Sequence, residues 1–369
     1  MVRRADAALT LRCLRRRQSG RSESAHDTHE REITGPVDLC APDGERLNPD
    51  ARGWSRTPLH RANLGGPFGR NKRWDYWGVL AGDLVISSVV ADVDRVGLAD
   101  VWWVDLVSGR TGGGSTLAFA PHDVRLPEVP ATDPLHAAGN GFEIDVVDDG
   151  DGTHLVATWT EADGVAGRLD VTVALPAGHE SVNVVIPWDD EVFNFTSKHQ
   201  ARPATGELVV GDRRWEIGGP ELGDAWGVLD VGRGRWPRDI VWNWGGGAGR
   251  AGEHVVGLQF GAKWTTGSGF TENGILVDGR LSKLGNELDW EYDWDEPMRP
   301  WRIVDPGGQL DVTLTPRYDK HSKAAGNTVQ GSETHQVFGT WSGRLRTDDG
   351  LELEFDGLQG FAEEARQHW

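Results

Sequence analysis

The stretch GQLDVTLTP at residues 308–316 has a near copy, GRLDVTVALP, at residues 167–176. The two copies differ at only one of their first six positions. In each copy apolar and polar side chains alternate, and this period of two is typical of a β-strand with one buried face. The repeated phrase therefore predicts one kind of strand that occurs twice in equivalent surroundings.

Three further pairs of segments match in the same order along the chain. They are NKRWDYWG (71–78) with IVWNWGG (240–246), VISSVVADVDRVGLADVWWVDLVSGR (85–110) with VVGLQFGAKWTTGSGFTENGILVDGR (255–280), and SKHQARPATGELVV (197–210) with ETHQVFGTWSGRLR (333–346). Their collinear order indicates an internal duplication. The register between the copies changes once, near a Gly- and Pro-rich segment at residues 111–141, which we interpret as an inserted loop.

The composition favours an all-β chain. Its 369 residues include 50 Gly and 18 Trp, and strand-like alternation recurs, for example through Val256, Leu258 and Phe260. Turn sequences such as DDGDG (148–152) separate these runs. We expect two antiparallel sheets that close or bend strongly, because closure removes exposed sheet edges.

The duplication suggests how the chain is divided. We expect a disordered Arg-rich extension at residues 1–29, a first β module with a lead-in at 30–235, a second β module at 236–358, and a C-terminal tail or short helix at 359–369. The net charge is −19, although the first 30 residues carry seven Arg against four acidic residues. An acidic body repels phosphate backbones, so we expect no nucleic-acid partner.

Several functional classes lack their signatures. The only cysteines are Cys13 and Cys40, and no zinc-ligand spacing, phosphate-binding loop or nucleophile motif occurs. No apolar run reaches the roughly 18 residues that a membrane span needs. The sequence therefore predicts a cytoplasmic protein with no metal, no cofactor and no membrane span.

Aromatic residues form the first group of candidate ligand-binding residues. They are Trp74 and Trp77 in the first copy, and Trp242, Trp244 and Trp264 in the second. In a strand, Trp242 and Trp244 share one face and Asn243, a further candidate, lies on the other. These tryptophans either pack in a core or form the aromatic wall of a ligand pocket.

Polar residues form the second group. His199 and His335 occupy matching places in the two copies, either as structural histidines or as acid–base groups. Lys263, Glu272 and Asn273 flank one Gly-rich turn, so strand pairing should bring them together. Glu272 and His335 are the catalytic candidates, and a buried Glu272 with a raised pKa would be able to protonate an alkene or orient a carbonyl. The alternative for Lys263 and Glu272 is a simple ion pair at the rim.

The chain resembles the bacterial DUF2804 family, whose function is unknown. The resemblance rests on stretches from residue 53 to residue 369: GWSRTPLHRANL, NKRWDYWG, RPATGEL, LDVGRGRWPRDIVWNWGGGAG, GAKWTTGSGFTENGILVDGRLSKL, PWRIVDPGGQLDVTLTP, HQVFGTWSGRL and GFAEEARQHW. At the level of the fold, the layout is also similar to tandem lipocalin-like proteins such as carotenoid 1,2-hydratases, tocopherol cyclase and lipocalin-like Diels–Alderases. These resemblances imply two tandem lipocalin-like barrels or bent sheets and transfer no catalytic residue.

Three functions remain open at this point. The first is binding of an apolar small molecule, such as a lipid, isoprenoid or polyketide, in a β-barrel cavity. The second is an enzyme that performs acid-assisted hydration, cyclisation or isomerisation of such a ligand. The third is a carbohydrate-binding β-sandwich with exposed Trp platforms, and a scaffold role is also possible. An enclosed cavity with an inward acid would favour the enzyme.

Overall fold

The computed structural model describes residues 28–323 and 332–368, so all but the last two residues of the predicted extension at 1–29 lie outside it. Within the described ranges nearly all regular structure is β, and the exception is one 3₁₀ turn at Pro49–Ala51. No helix in these ranges is long and apolar enough to cross a membrane.

Twenty-four strands follow one another along the described chain. They are β1 (Val37–Asp38), β2 (Trp54–Ser55), β3 (His60–Arg61), β4 (Lys72–Ala81), β5 (Leu84–Asp92), β6 (Val96–Asp105), β7 (Thr111–Phe119), β8 (Leu135–Gly139), β9 (Phe142–Asp148), β10 (Gly152–Thr160), β11 (Ala166–Ala174), β12 (Val182–Pro187), β13 (Phe193–Val210), β14 (Arg213–Ile217), β15 (Ala225–Arg235), β16 (Asp239–Ala251), β17 (His254–Ala262), β18 (Asn273–Val277), β19 (Arg280–Leu284), β20 (Asp289–Glu291), β21 (Trp301–Val304), β22 (Leu310–Lys323), β23 (Glu333–Arg346) and β24 (Glu352–His368).

Two large antiparallel sheets contain almost all of these strands. The main path of the first is β7-β6-β5-β4-β15-β13-β11-β10-β9-β8, with β2, β12 and β14 attached beside it. This sheet curls until β7 contacts β8, β9 and β10, which nearly closes a barrel. The second sheet runs β19-β18-β17-β16-β24-β23-β22-β21-β20 and forms a half-barrel. The predicted all-β, tandem architecture is therefore confirmed.

The strand order of the second sheet repeats that of the first. The two Leu-Asp-Val-Thr stretches lie in β11 and β22, and each strand holds the same place in its sheet. Val171 of β11 pairs with Gly206, and Val312 of β22 pairs with Gly343. Both glycines have positive φ angles, +146° and +144°. The duplication read from the sequence is thus also present in strand order and backbone conformation.

Each sheet encloses an apolar core of its own. Leu169, Val171 and Trp77 belong to the core of the first sheet. Leu310 and Val312 belong to the core of the second. A ligand cavity was expected inside a barrel, and the described residues place packed apolar side chains in both interiors. The Leu and Val of the repeated strands point inward and pack in these cores.

Two local predictions also need correction. The segment 111–141 is not one loop, since it contains β7 and β8. Its glycines pair in register with β6: Gly113 lies opposite Trp102, and Gly114 opposite Val101. Residues 359–368 are not a tail or helix but the second half of β24, which pairs with both β16 and β23. Burial on both sides hides the amphipathic signal that would mark this segment as a strand.

Candidate functional site

A cavity of about 410 Å³ lies between the outer faces of the two sheets. Small-molecule sites typically have volumes of about 300–1,000 Å³. Strands β4, β5, β6, β13 and β15 line it from the first sheet, and β16, β22, β23 and β24 line it from the second. Its charged lining residues are Lys72, Lys198, Asp230, Glu272, Lys320 and Glu363. Neither half of the duplication builds this cavity alone.

Tryptophan supplies much of the cavity wall. Four of the predicted aromatic residues, Trp74, Trp242, Trp244 and Trp264, line it. Sequence reasoning missed Trp236, which stacks on Trp264 with 5.3 Å between ring centroids and 7° between the ring planes. Trp236 also meets Trp74 and Trp242 edge to face. Such a wall suits a flat or unsaturated apolar ligand.

Lys198 joins the acidic groups of the two sheets. Its Nζ atom lies 2.8 Å from Asp230 Oδ1 and 3.2 Å from Glu272 Oε2. The same nitrogen lies 4.6 Å from the centroid of the Trp244 ring. Burial disfavours the charged amine, but the two carboxylates outweigh this cost and raise the pKa of Lys198. The amine is therefore a fixed positive charge in the cavity.

Glu272 lies in the loop between β17 and β18 and is 1% exposed. Its Oε1 atom accepts a hydrogen bond of 2.8 Å from Trp264 Nε1. Burial raises the pKa of Glu272 to about 7, Lys198 opposes the shift, and Asp230 adds to it. The structure thus places one sequence-predicted acid in the cavity, next to the aromatic wall.

Glu363 of β24 is a second buried acid in the same cavity, and sequence reasoning missed it. Its Oε1 atom accepts a hydrogen bond of 2.7 Å from Trp242 Nε1. Burial raises the pKa of Glu363 to about 7 against that hydrogen bond and the charges of Lys198 and Lys320. The sequence signal that could have identified Glu363 is FAEEA (361–365), where two adjacent glutamates interrupt an apolar run. If this segment is a strand, one of the two must face the buried side.

Asn194 adds an unsatisfied polar group to the wall. It is fully buried and lines the cavity. Among the described residues, neither the nitrogen nor the oxygen of its amide has a hydrogen-bond partner. A buried amide without partners costs free energy, and a carbonyl or hydroxyl group of a ligand would satisfy it. Asn194 is thus placed to anchor a polar group in an otherwise apolar ligand.

Three of the predicted ligand-binding residues point away from the cavity. Trp77 packs in the first core, whereas Trp244, matched to it in sequence, faces the cavity. Asn243 lies between two cavity-lining tryptophans on β16 and donates instead to Glu363 O and Tyr292 Oη. Asn273 accepts from Gly261 N at 2.7 Å. A shift of one residue reverses the face of a strand, so a sequence match cannot fix which way a side chain points.

Lys263 and Glu272 do not form the expected pair. Lys263 Nζ instead contacts Glu364 Oε2 at 2.7 Å and Tyr292 Oη at 2.6 Å, and Glu272 pairs with Lys198. The loop after Ala262 carries the two side chains to opposite sides of the second sheet. Proximity across a turn was therefore a poor guide to contact.

The two predicted histidines also turn away from the cavity. Lys198 lines the cavity, so His199, the next residue, points to the opposite face of β13. Gln336 also lines the cavity, so His335, the residue before it, points to the opposite face of β23. His199 is buried, its Nε2 atom lies 3.0 Å from Ser197 Oγ, and burial together with Arg202 lowers its pKa well below the ordinary value. It is suited to a neutral, structural role.

The fold and the site define a class of protein: a two-sheet β protein with an aromatic cavity between its sheets that contains buried acids. Residues 30–369 match the family model described as "Domain of unknown function (DUF2804)", and the chain belongs to this family. No curated protein sequence matches the chain.

Several solved structures are similar to this chain. An AttH-designated protein from Nitrosomonas europaea shares 12% identity with a TM-score of 0.46, over 82% of this chain and 95% of that one. Kievitone hydratase from Nectria haematococca shares 10% identity with a TM-score of 0.45, over 81% and 89%. CghA with Sch210972 shares 12% identity with a TM-score of 0.42, over 81% and 89%. This likeness assigns no ligand or reaction to the chain.

Proposed function

We propose that the cavity binds an apolar, unsaturated small molecule and catalyses its acid-assisted hydration, cyclisation or isomerisation. The observation that carries this proposal is the presence of two buried carboxyl groups, Glu272 and Glu363, in one aromatic cavity. The pKa of each is raised to about 7. A carboxylic acid with such a pKa is still substantially protonated at neutral pH and is able to donate its proton.

Glu363 is the better proton donor of the two. Glu272 is in direct contact with the Lys198 ammonium, which favours its ionised form. Lys198 and Lys320 act on Glu363 through charge, without a hydrogen bond. We therefore assign proton donation to Glu363. Glu272, held by Trp264 and Lys198, serves as the negative charge that stabilises a cationic substrate.

The proposed reaction proceeds by proton transfer, so it needs neither an oxidant nor a reductant. Glu363 gives its proton to an alkene carbon, and the substrate gains a positive charge over the tryptophan faces, which attract cations. Water adds in a hydration and a substrate hydroxyl adds in a cyclisation, whereas an isomerisation loses a proton from a neighbouring carbon. In each case the released proton returns to the Glu363 carboxylate, and no net proton is consumed.

The second candidate is a carrier of the same kind of ligand. It is favoured by the five tryptophans of the lining together with aliphatic side chains such as Val89, Ala91 and Leu98. Carbohydrate binding is less well supported, because Trp74, Trp242, Trp244 and Trp264 line a cavity between the two sheets rather than a flat exposed platform. Turnover separates the enzyme from the carrier.

The test begins with native mass spectrometry of the protein purified from its source, to identify a bound small molecule. That molecule is then incubated with the protein in D₂O. We expect deuterium at a carbon atom, because all three reactions pass through proton transfer to carbon. Glu363→Gln should lower the rate about 10²- to 10⁴-fold, the usual contribution of a general acid, while binding affinity stays similar.

A matched control and a pH profile complete this test. Glu253 is exposed, and Glu253→Gln should leave turnover unchanged. The rate should fall as the pH rises through about 7, since Glu363 must be protonated to act. A bound ligand that never takes up deuterium would reject the enzyme and leave the carrier.

A further inference from the structure

The hairpin of β22 and β23 carries a second group of chemically active side chains on the face opposite the cavity. His321 and His335 lie directly opposite each other across the pair of strands. Asp319 and Glu333 lie two residues from them on the same face of their strands. Two imidazoles and two carboxylates therefore meet at one place.

The contacts within this group are specific. His335 Nδ1 lies 2.8 Å from Asp319 Oδ2, and His321 Nε2 lies 2.8 Å from Glu333 Oε1. The two imidazole rings stack with 4.2 Å between their centroids and 5° between their planes. Trp294 packs edge-on against His335 at 4.6 Å. Lys323 approaches the other oxygen of Glu333, Oε2, at 3.3 Å.

We propose that His321, His335 and Glu333 bind a divalent transition-metal ion such as Zn²⁺. One ligand atom from each of the three lies within 4.8 Å of the other two. In a tetrahedral site, bonds of about 2.0–2.2 Å place neighbouring ligand atoms roughly 3.3–3.6 Å apart. The three ligand atoms must therefore move closer together, and one imidazole must turn out of the parallel stack so that both ring nitrogens point at the same ion. Two imidazoles and a carboxylate are a ligand set that suits zinc and related ions.

The Asp319–His335 bond is the second observation that points to a metal. A histidine ligand usually donates its other ring N–H to a carboxylate, which fixes the tautomer and directs the free nitrogen toward the ion. Asp319 holds Nδ1 of His335 in this way, so Nε2 is the nitrogen available to a metal. Sequence reasoning predicted no metal because the ligands come from two strands and have no short-range spacing.

One other group in the described ranges places three ligand atoms together: His136, Glu143 and Asp145. It contains a single histidine, and His136 uses its Nδ1 atom to contact Asp145. The His136 and Asp145 side chains are each about half exposed. The His321 side chain is 45% exposed, so what distinguishes the proposed site is its second histidine, His335, which is 11% exposed and contacts Asp319. The His136 cluster lacks such a residue and serves as the matched control.

The test is isothermal titration of metal-free, tag-free, full-length protein with Zn²⁺ alone. We expect saturable binding of one ion per chain and a rise in Tm on zinc addition. His321→Ala and His335→Ala should each weaken binding at least about tenfold, and Asp319→Asn about 10- to 100-fold, the usual effect of losing an outer carboxylate. His136→Ala should bind zinc like the wild type.

Asp319→Asn and Glu333→Gln guard against misfolding, since both keep the shape of the side chain. Circular dichroism of each metal-free variant checks that the sheets remain intact. The proposal is overturned if zinc binding is not saturable. It is also overturned if His136→Ala lowers the zinc affinity as much as His335→Ala does. Neither outcome affects the cavity, which lies on the other face of the hairpin.

Discussion

At the scale of single residues, neighbours in the sequence have opposite chemistry. Glu363 faces the cavity, and burial raises its pKa to about 7. Glu364 faces the interior of the second sheet; burial disfavours its charge, but hydrogen bonds from Lys263, Tyr292 and Arg366 lower its pKa. Both are glutamates in one strand, so the face of the strand decides which one is able to give up a proton at neutral pH.

This contrast predicts a pH-dependent stability for Glu363→Gln. In the unfolded chain the carboxyl ionises near the ordinary glutamate pKa of 4.5, and in the folded chain near 7. The folded state therefore holds the proton more tightly, and this contribution to wild-type stability is lost as the pH rises from about 4.5 to about 7. Glutamine does not ionise, so at pH 8 the variant should be more stable, on the order of 1–3 kcal/mol.

Urea unfolding of both proteins at pH 4, 6 and 8 measures this difference. The gain should vanish at pH 4, where the carboxyl is protonated in both states. Glu253→Gln, at an exposed site, should track the wild type at every pH. A variant no more stable than the wild type at pH 8 would show that folding does not raise the pKa of Glu363.

At the scale of elements, each repeated Leu-Asp-Val-Thr strand pairs with a strand that requires glycine at one position. A Cβ atom built on Gly206 would lie 2.1 Å from the carbonyl oxygen of Asp170, and one on Gly343 would lie 2.2 Å from that of Asp311. Both glycines also have positive φ angles, which side chains rarely adopt. The same backbone requirement therefore recurs in each half.

We expect Gly206→Ala and Gly343→Ala to destabilise the protein by similar amounts, each more than about 1 kcal/mol. Gly35→Ala is the control, since nothing lies within 4 Å of its added Cβ. Thermal unfolding of the three variants provides the comparison. A near-neutral Gly206→Ala beside a costly Gly343→Ala would mean that the two strands are not equivalent.

The strands and the cavity residues show which features could be predicted from the sequence. The alternation in β11, β17 and β22 predicted strands, and the repeat predicted their equivalent places. The second half of β24 and the Gly-rich β7 were missed, because neither shows a simple two-residue alternation. Of the residues that line the cavity, Glu272 and four tryptophans were named as candidates from the sequence, whereas Lys198, Asp230 and Glu363 were not. Their chemistry arises from pairing across strands that are distant in sequence.

At the scale of the whole molecule, tryptophans join the two sheets. Trp236 lies in the connection between β15 and β16 and contacts Trp74 of the first sheet and Trp242 of the second. It also stacks on Trp264. The cavity therefore depends on how the sheets are held against each other, and Trp236 is at the junction.

Trp236→Ala should weaken this junction. The substitution removes ring contacts to both sheets. We expect the free energy of unfolding to fall by roughly 2–4 kcal/mol, near the lower end of the usual cost of Trp→Ala, because Trp236 is only partly buried. The urea transition should also broaden, because the two sheets no longer unfold as one unit. Trp215→Ala is the control: Trp215 is buried in the first core alone, so it should lower stability without broadening the transition. Equal broadening in both variants would contradict the bridging role.

The sequence by itself determined the all-β class, the duplication and the strands that carry the repeated phrase, because alternation and turn chemistry are local properties that survive without knowledge of contacts. Only the tertiary structure decided where the cavity lies and which acids enter it. Core residues pack in the interior of each sheet, and the cavity lies between the outer faces of the two sheets. Which side chain reaches that space depends on strand register and on the packing of one sheet against the other, and neither is encoded in a local pattern.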